Sequence, residues 1–135
     1  MAAIIEDYVS FETAKLLKEK GFNERLFTFY ITDEAKKEGY FQLMAFTDDN
    51  IDNNHSDHCY LAPTLQMAMK WLREAHNLVI QIEFIDFLEH GEVWLYSVIE
   101  RKTIKQLTGR DEDFTEHSYE QACETAIKYC LENLI

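Results

Sequence analysis

Proline and glycine are nearly missing from this sequence, with one and four residues respectively among 135. The glycines are not clustered, so the chain holds no phosphate-cradling loop. Three cysteines, Cys59, Cys123 and Cys130, are odd in number and lack the spacing of a disulfide framework. Cys123 and Cys130 fall on one expected helix, about 10 Å apart along its axis, which is beyond disulfide reach. They read as small core residues, and a reducing cytoplasm suits them. No apolar run approaches the ~20 residues of a membrane helix. The opening residues Met1-Ala2-Ala3-Ile4-Ile5-Glu6-Asp7 lack the basic and apolar regions of a signal peptide. Positive charge is scarce as well: 13 Lys and Arg stand against 25 Asp and Glu, for a net charge of −12. Such a surface repels phosphate backbones and anionic bilayers, so neither direct nucleic-acid binding nor membrane association is expected.

What is present is an ordinary hydrophobic fraction of 47%. A chain of this length reads as a single domain, 1–135, that buries roughly two-thirds of its unfolded surface without metal or disulfide. Ser10 opens a helical pattern through Phe11, Ala14, Leu16 and Leu17, which Gly21 ends, with Phe22 tucking back on the stripe. Leu26 to Ile31 reads as a strand, Thr32 to Gly39 as a polar hairpin connection, and Tyr40 to Thr47 as the returning strand. After a polar loop, Asp48 to Asp57, the segment Ala62-Pro63-Thr64 punctuates a second helix with Leu65, Ala68, Met69, Leu72 and Ala75 on one side. Leu78 to Leu88 and Val93 to Ile99 form a second hairpin around His90-Gly91. Lys105 to Glu116 is a polar connection. Ser118 with Gln121 makes a capping box that opens the last helix.

The order α-β-β-α-β-β-α predicts an α+β fold, a mainly antiparallel four-stranded sheet packed with three helices. Three helix starts of similar pattern, at Ser10, Thr64 and Ser118, are spaced by 54 residues. They outline two helix-strand-strand units, 10–63 and 64–117, with a closing helix, 118–135.

The second hairpin is apolar on both faces. Leu78, Ile80, Ile82 and Phe84 oppose Val79, Ile85 and Phe87 across one strand, while Trp94, Tyr96 and Val98 oppose Val93, Leu95 and Ile99 across the other. Something must cover the second face, either a helix of the same chain or a second copy. A homodimer is therefore expected, with Val79, Ile85, Phe87, Trp94 and Tyr96 as interface candidates.

No catalytic constellation stands out, no catalytic residue is assigned and no cofactor is called for. Glu83 and Asp86 lie on opposite faces of one strand and cannot work as a local carboxylate pair. His76 ends a helix, His90 sits in a turn and His117 precedes a cap; each reads as structural. The segment Asp48-x-Asn50-x-Asp52 copies half of a calcium loop, but Asn53 and Cys59 stand where Gly and Glu are required. His55, Asp57 and His58 are the weak candidates for a metal, with no fourth ligand near in sequence.

Three blocks carry a resemblance: Tyr8 to Phe22, Ala62 to Glu74 and Lys128 to Ile135, all in the expected helices. Together they resemble a family of uncharacterised small proteins from Bacteroidetes genomes and their phages and mobile elements. The resemblance implies an accessory role in that setting and brings no activity or site residue with it. The expectation is thus a cytoplasmic, non-enzymatic interaction module acting on a host or phage protein. The alternatives are an acidic DNA mimic using Asp111, Glu112, Asp113 and Glu116, or a metal-dependent enzyme built on His55, Asp57 and His58.

Overall fold

The computed structural model describes residues 4–33, 41–45, 51–53, 56–87 and 91–135. The chain divides into two compact units, Met1–Thr64 and Leu65–Ile135.

In the first unit, helix α1 spans Phe11–Glu19. Ser10 caps it by accepting a hydrogen bond from the Thr13 N–H at 3.2 Å, and Glu12 and Lys18 complement the helix dipole at its two ends. Gly21 ends it at φ +92°. The Gly21 N–H donates to the Lys18 carbonyl and the Phe22 N–H to the Leu17 carbonyl, the paired bonds of a left-handed helix stop. Phe22 and Leu17 are both fully buried, as the pattern predicts. Burial of each contributes about 1.5–3 kcal/mol.

Strands β1 (Thr28–Thr32), β2 (Phe41–Ala45) and β3 (Cys59–Leu61) form an antiparallel sheet in the order β2-β1-β3. The expected strand from Leu26 begins later, because Leu26 instead exchanges two backbone hydrogen bonds with Ile51. Part of the expected loop is thereby pinned to the fold. Asn53 pins it further. Its amide donates to the Phe22 carbonyl at 2.6 Å and its side-chain oxygen accepts from the Leu61 N–H at 2.9 Å. The Tyr30 hydroxyl donates to the Val9 carbonyl, and the Val9 N–H donates to the Pro63 carbonyl.

In the second unit, α2 (Leu65–His76) precedes a long hairpin of β4 (Leu78–Phe87) and β5 (Gly91–Glu100). Asn77 makes the turn between α2 and β4 at φ +57°, a conformation Asn tolerates. Two short strands, β6 (Lys105–Gln106) and β7 (Thr115–Glu116), pair with the other edge of β5. Helix α3 (Tyr119–Asn133) closes the unit, its Ser118 cap accepting from the Gln121 N–H. The helices begin at Phe11, Leu65 and Tyr119, so the 54-residue spacing read from the sequence is the spacing of the helices.

Class and element order follow the expectation, α+β and antiparallel. The hairpins, however, do not pool into one four-stranded sheet. Each has an inner strand that finds its second partner in a short local segment, β3 for β1, and β6 with β7 for β5. Those segments saturate the inner edges. Among the described residues two sheets result, and β2 and β4 are the outer strands of the two hairpins.

The register of β4 and β5 sorts the two faces of this hairpin. Ile80 with Val98, Ile82 with Tyr96 and Phe84 with Trp94 share one face; Val79 with Ile99, Glu83 with Leu95 and Ile85 with Val93 share the other. The first face packs on α3, where Ala122 and Ala126 meet Tyr96 while Ile80, Ile82 and Trp94 surround them. Alanine at both positions lets the aromatic rings approach the helix backbone. On the second face Val93, Leu95 and Ser97 are buried in the folded chain as well.

Candidate functional site

Strand β2 is exposed along its whole length. Every one of its five residues is exposed, with Phe41 at 49%, Leu43 at 42% and Met44 at 39%. Among the described residues it pairs with β1 and with no second strand. Its sequence, Phe-Gln-Leu-Met-Ala, carries no charge, proline or glycine. Outer strands are usually blunted by such residues against unwanted pairing. The other outer strand, β4, is blunted in this way by Glu83 and Asp86.

The face shared by Phe41, Leu43 and Ala45 also holds Thr32, Tyr30 and Thr28 of β1. Phe41 stacks on Phe11 of α1 with centroids 4.6 Å apart and an 8° angle between planes. Phe11 in turn meets Tyr30 and Tyr60 edge-on, at 5.6 and 5.5 Å. Lys15 stands over the Phe11 ring and Lys18 over the Tyr60 ring. Lys18 also donates to the carbonyls of Ser56 and Cys59, at 2.9 and 2.8 Å, tying the start of β3 to α1. Beside this wall runs an open groove lined by Ser10, Phe11, Glu12, Lys15 and Phe41. An added strand would lie along the outer side of β2, with an aromatic shelf for its side chains.

The interface candidates of the second hairpin separate. Val79 and Ile85 lie on the face away from α3, both half-buried. Trp94 and Tyr96 lie against α3, and Tyr96 is only 4% exposed. Trp94 sits edge-on to Tyr119, and Tyr96 edge-on to Phe114. Phe87 pairs with Gly91 through its backbone, and its side chain is outside the described set.

Of the metal candidates, His55 lies outside the described residues, as do Asp48 and Asn50. Asp57 and His58 are exposed in the turn before β3, where the His58 N–H donates to the Ser56 hydroxyl. Among the described residues no group of three His, Cys, Asp or Glu side chains is placed to hold a metal ion. Asp111, Glu112 and Asp113 are exposed around one short 3-10 turn, Glu112–Phe114, while Glu116 is half-buried and accepts from the Thr125 hydroxyl. Glu83 is held by Arg110 at 2.8 Å. His76 ends α2 edge-on to Trp71.

All three cysteines are free and buried. Burial pushes the Cys123 thiol up to about 11 and the Cys130 thiol up to about 12. It raises the Cys59 thiol too, against the opposing pull of Lys18. Thiols held protonated in this way make poor nucleophiles.

Two functional features escaped the sequence reading. Asn53 looked like a turn former and is a buried strut. The edge of β2 had a signal in its charge-free run, but its exposure depends on β3 taking the other side of β1. No helix among the described residues is long and apolar enough to cross a membrane. No protein-family model, no curated protein and no solved structure matches the chain.

Proposed function

We propose that this chain is a non-enzymatic protein-interaction module that docks by strand addition at β2, and that its first partner is a second copy of itself. The observation that carries the reading is an exposed, uncharged and mostly apolar strand that, among the described residues, pairs on one side only, on a chain of net charge −12. Two copies so acidic repel one another over most of their surfaces. The charge-free edge adds no carboxylate to that repulsion. Antiparallel pairing of β2 with its twin about Leu43 sets Leu43 opposite its own counterpart and Phe41 opposite the counterpart of Ala45. Large then meets small on a self-complementary face, which is what a two-fold contact requires. The accessory role in phages or mobile elements belongs to the same proposal and rests on the helix blocks that carry the resemblance.

Native mass spectrometry of the untagged chain, beside Leu43→Lys, tests the proposal. The parent is expected as a dimer and the variant as a monomer of unchanged thermal stability. A monomeric parent, or a dimer that Leu43→Lys leaves intact, overturns it.

A further inference from the structure

The turn joining β5 to β6 presents an apolar side chain that does nothing for the packing of the chain. Ile104 has φ +59° and is 79% exposed. A β-branched residue in the left-handed region crowds its own backbone, and here no burial offsets that strain. Yet the turn is heavily braced. The Ile104 N–H donates to the Glu100 carbonyl at 2.9 Å. The Glu100 carboxylate accepts from the Lys102 N–H, the Thr103 N–H and the Thr103 hydroxyl. The Arg101 N–H donates to the Asn77 carbonyl at 2.8 Å, and its guanidinium reaches Glu74 at 3.2 Å. The surroundings hold Ile104 in a conformation its own sterics oppose.

Charge is segregated at the same place. Residues 101–110 contain Arg101, Lys102, Lys105 and Arg110 and no carboxylate, in a chain of net charge −12. Arg101 and Arg110 are engaged by Glu74 and Glu83. Lys102 and Lys105 are exposed on either side of Ile104 and outnumber the one carboxylate of the turn, Glu100, which lies near Lys102.

We infer that this turn is a second docking surface, and that it fits an acidic protein whose surface offers an apolar recess rimmed by carboxylates. An acidic partner is repelled by much of this molecule and admitted where cations gather beside an exposed apolar side chain. Ile104, stiff at χ1 and fixed by the braced turn, enters as a pre-ordered anchor that loses little entropy on binding. A lipid surface is the weaker fit. One isoleucine buries little in a bilayer, and the net charge opposes an anionic leaflet. The inference is independent of β2.

The test uses the full chain on arrayed short peptides with Leu, Phe or Trp set among Asp and Glu, beside the same peptides with Lys for every acid. Binding to the acidic array is expected, weakened at least about tenfold by Ile104→Gly and by the double change Lys102→Glu with Lys105→Glu. Leu43→Lys should leave it unchanged, which separates this surface from the β2 edge. Ile104→Gly should melt no lower than the parent, since glycine accepts the left-handed turn. Absence of binding to the acidic array, binding that Ile104→Gly leaves intact, or a lower melting temperature in that variant overturns the inference. Co-sedimentation with phosphatidylserine vesicles that Ile104→Gly abolishes would also overturn it, in favour of a membrane.

Discussion

The ring of Phe11 lies flat on the ring of Phe41, so the first residue of α1 positions the first residue of β2. Phe11 also touches Tyr30 and Tyr60. Phe11→Ala removes the centre of this cluster. It should cost about 2 kcal/mol, read as a lower urea midpoint. It should also weaken the dimer, because β2 loses the side chain that holds its start in place. A dimer of unchanged strength would separate the aromatic cluster from the docking edge.

Asn53→Ala should be costlier than its place in a polar loop implies. Two backbone groups, the Phe22 carbonyl and the Leu61 N–H, lose their side-chain partner. Leaving buried groups of this kind unpaired costs about 1–3 kcal/mol each. Thermal unfolding of the variant checks this, with a clear drop in midpoint expected. Asn53→Asp keeps the acceptor for Leu61 but sets a buried carboxylate oxygen against the Phe22 carbonyl, and should be no more stable than Asn53→Ala.

The thiols of Cys123 and Cys130 should resist modification in the native chain at pH 8. Both are buried, and burial holds their titration near 11 and 12. A colorimetric disulfide reagent should label these two at the rate of unfolding and should label all three cysteines at once in guanidinium. Fast labelling of Cys130 in the native protein would contradict the packing of α3.

The braced turn should loosen in acid. Hydrogen bonds from Thr103 hold the Glu100 carboxyl below its ordinary 4.5, and the hydrogen bond from Arg101 does the same for Glu74. A carboxyl lowered by folding lends stability that is complete above 4.5 and is lost as pH falls through the lowered value. Amide exchange at Lys102 and Thr103, after correction for intrinsic rates, should therefore stay constant while both carboxyls are ionised and accelerate as pH falls below 4.5. Glu100→Gln should remove most of that dependence.

The helices were legible because their signals are local. Ser10 and Ser118 are caps in sequence and in structure, and Gly21 is the stop that the pattern requires. The β4–β5 hairpin was legible because ten-residue strands carry a readable alternation. Strands β3, β6 and β7 were not, since two or three residues hold no period. That omission propagated. Without β3 the exposure of β2 could not be inferred, and without α3 placed on Tyr96 the cover of the second hairpin was left between a helix of the chain and a second copy. The strain at Ile104 was hidden for a different reason, since isoleucine gives no warning in sequence of a left-handed backbone.

Tyr8 pairs with Thr64, so the two ends of the first unit lie side by side. Bringing them together costs about 4 kcal/mol in loop closure, repaid only when both are present. A growing chain therefore cannot finish this unit from its early residues alone. On the ribosome its completion waits until residue 64 has left the exit tunnel, and before β3 emerges the β1–β2 hairpin stands without its third strand. During that interval β1 is as open along its side as the proposed docking edge is along β2, so the nascent hairpin has two edges to shelter where the finished unit has one beside β1 and β2.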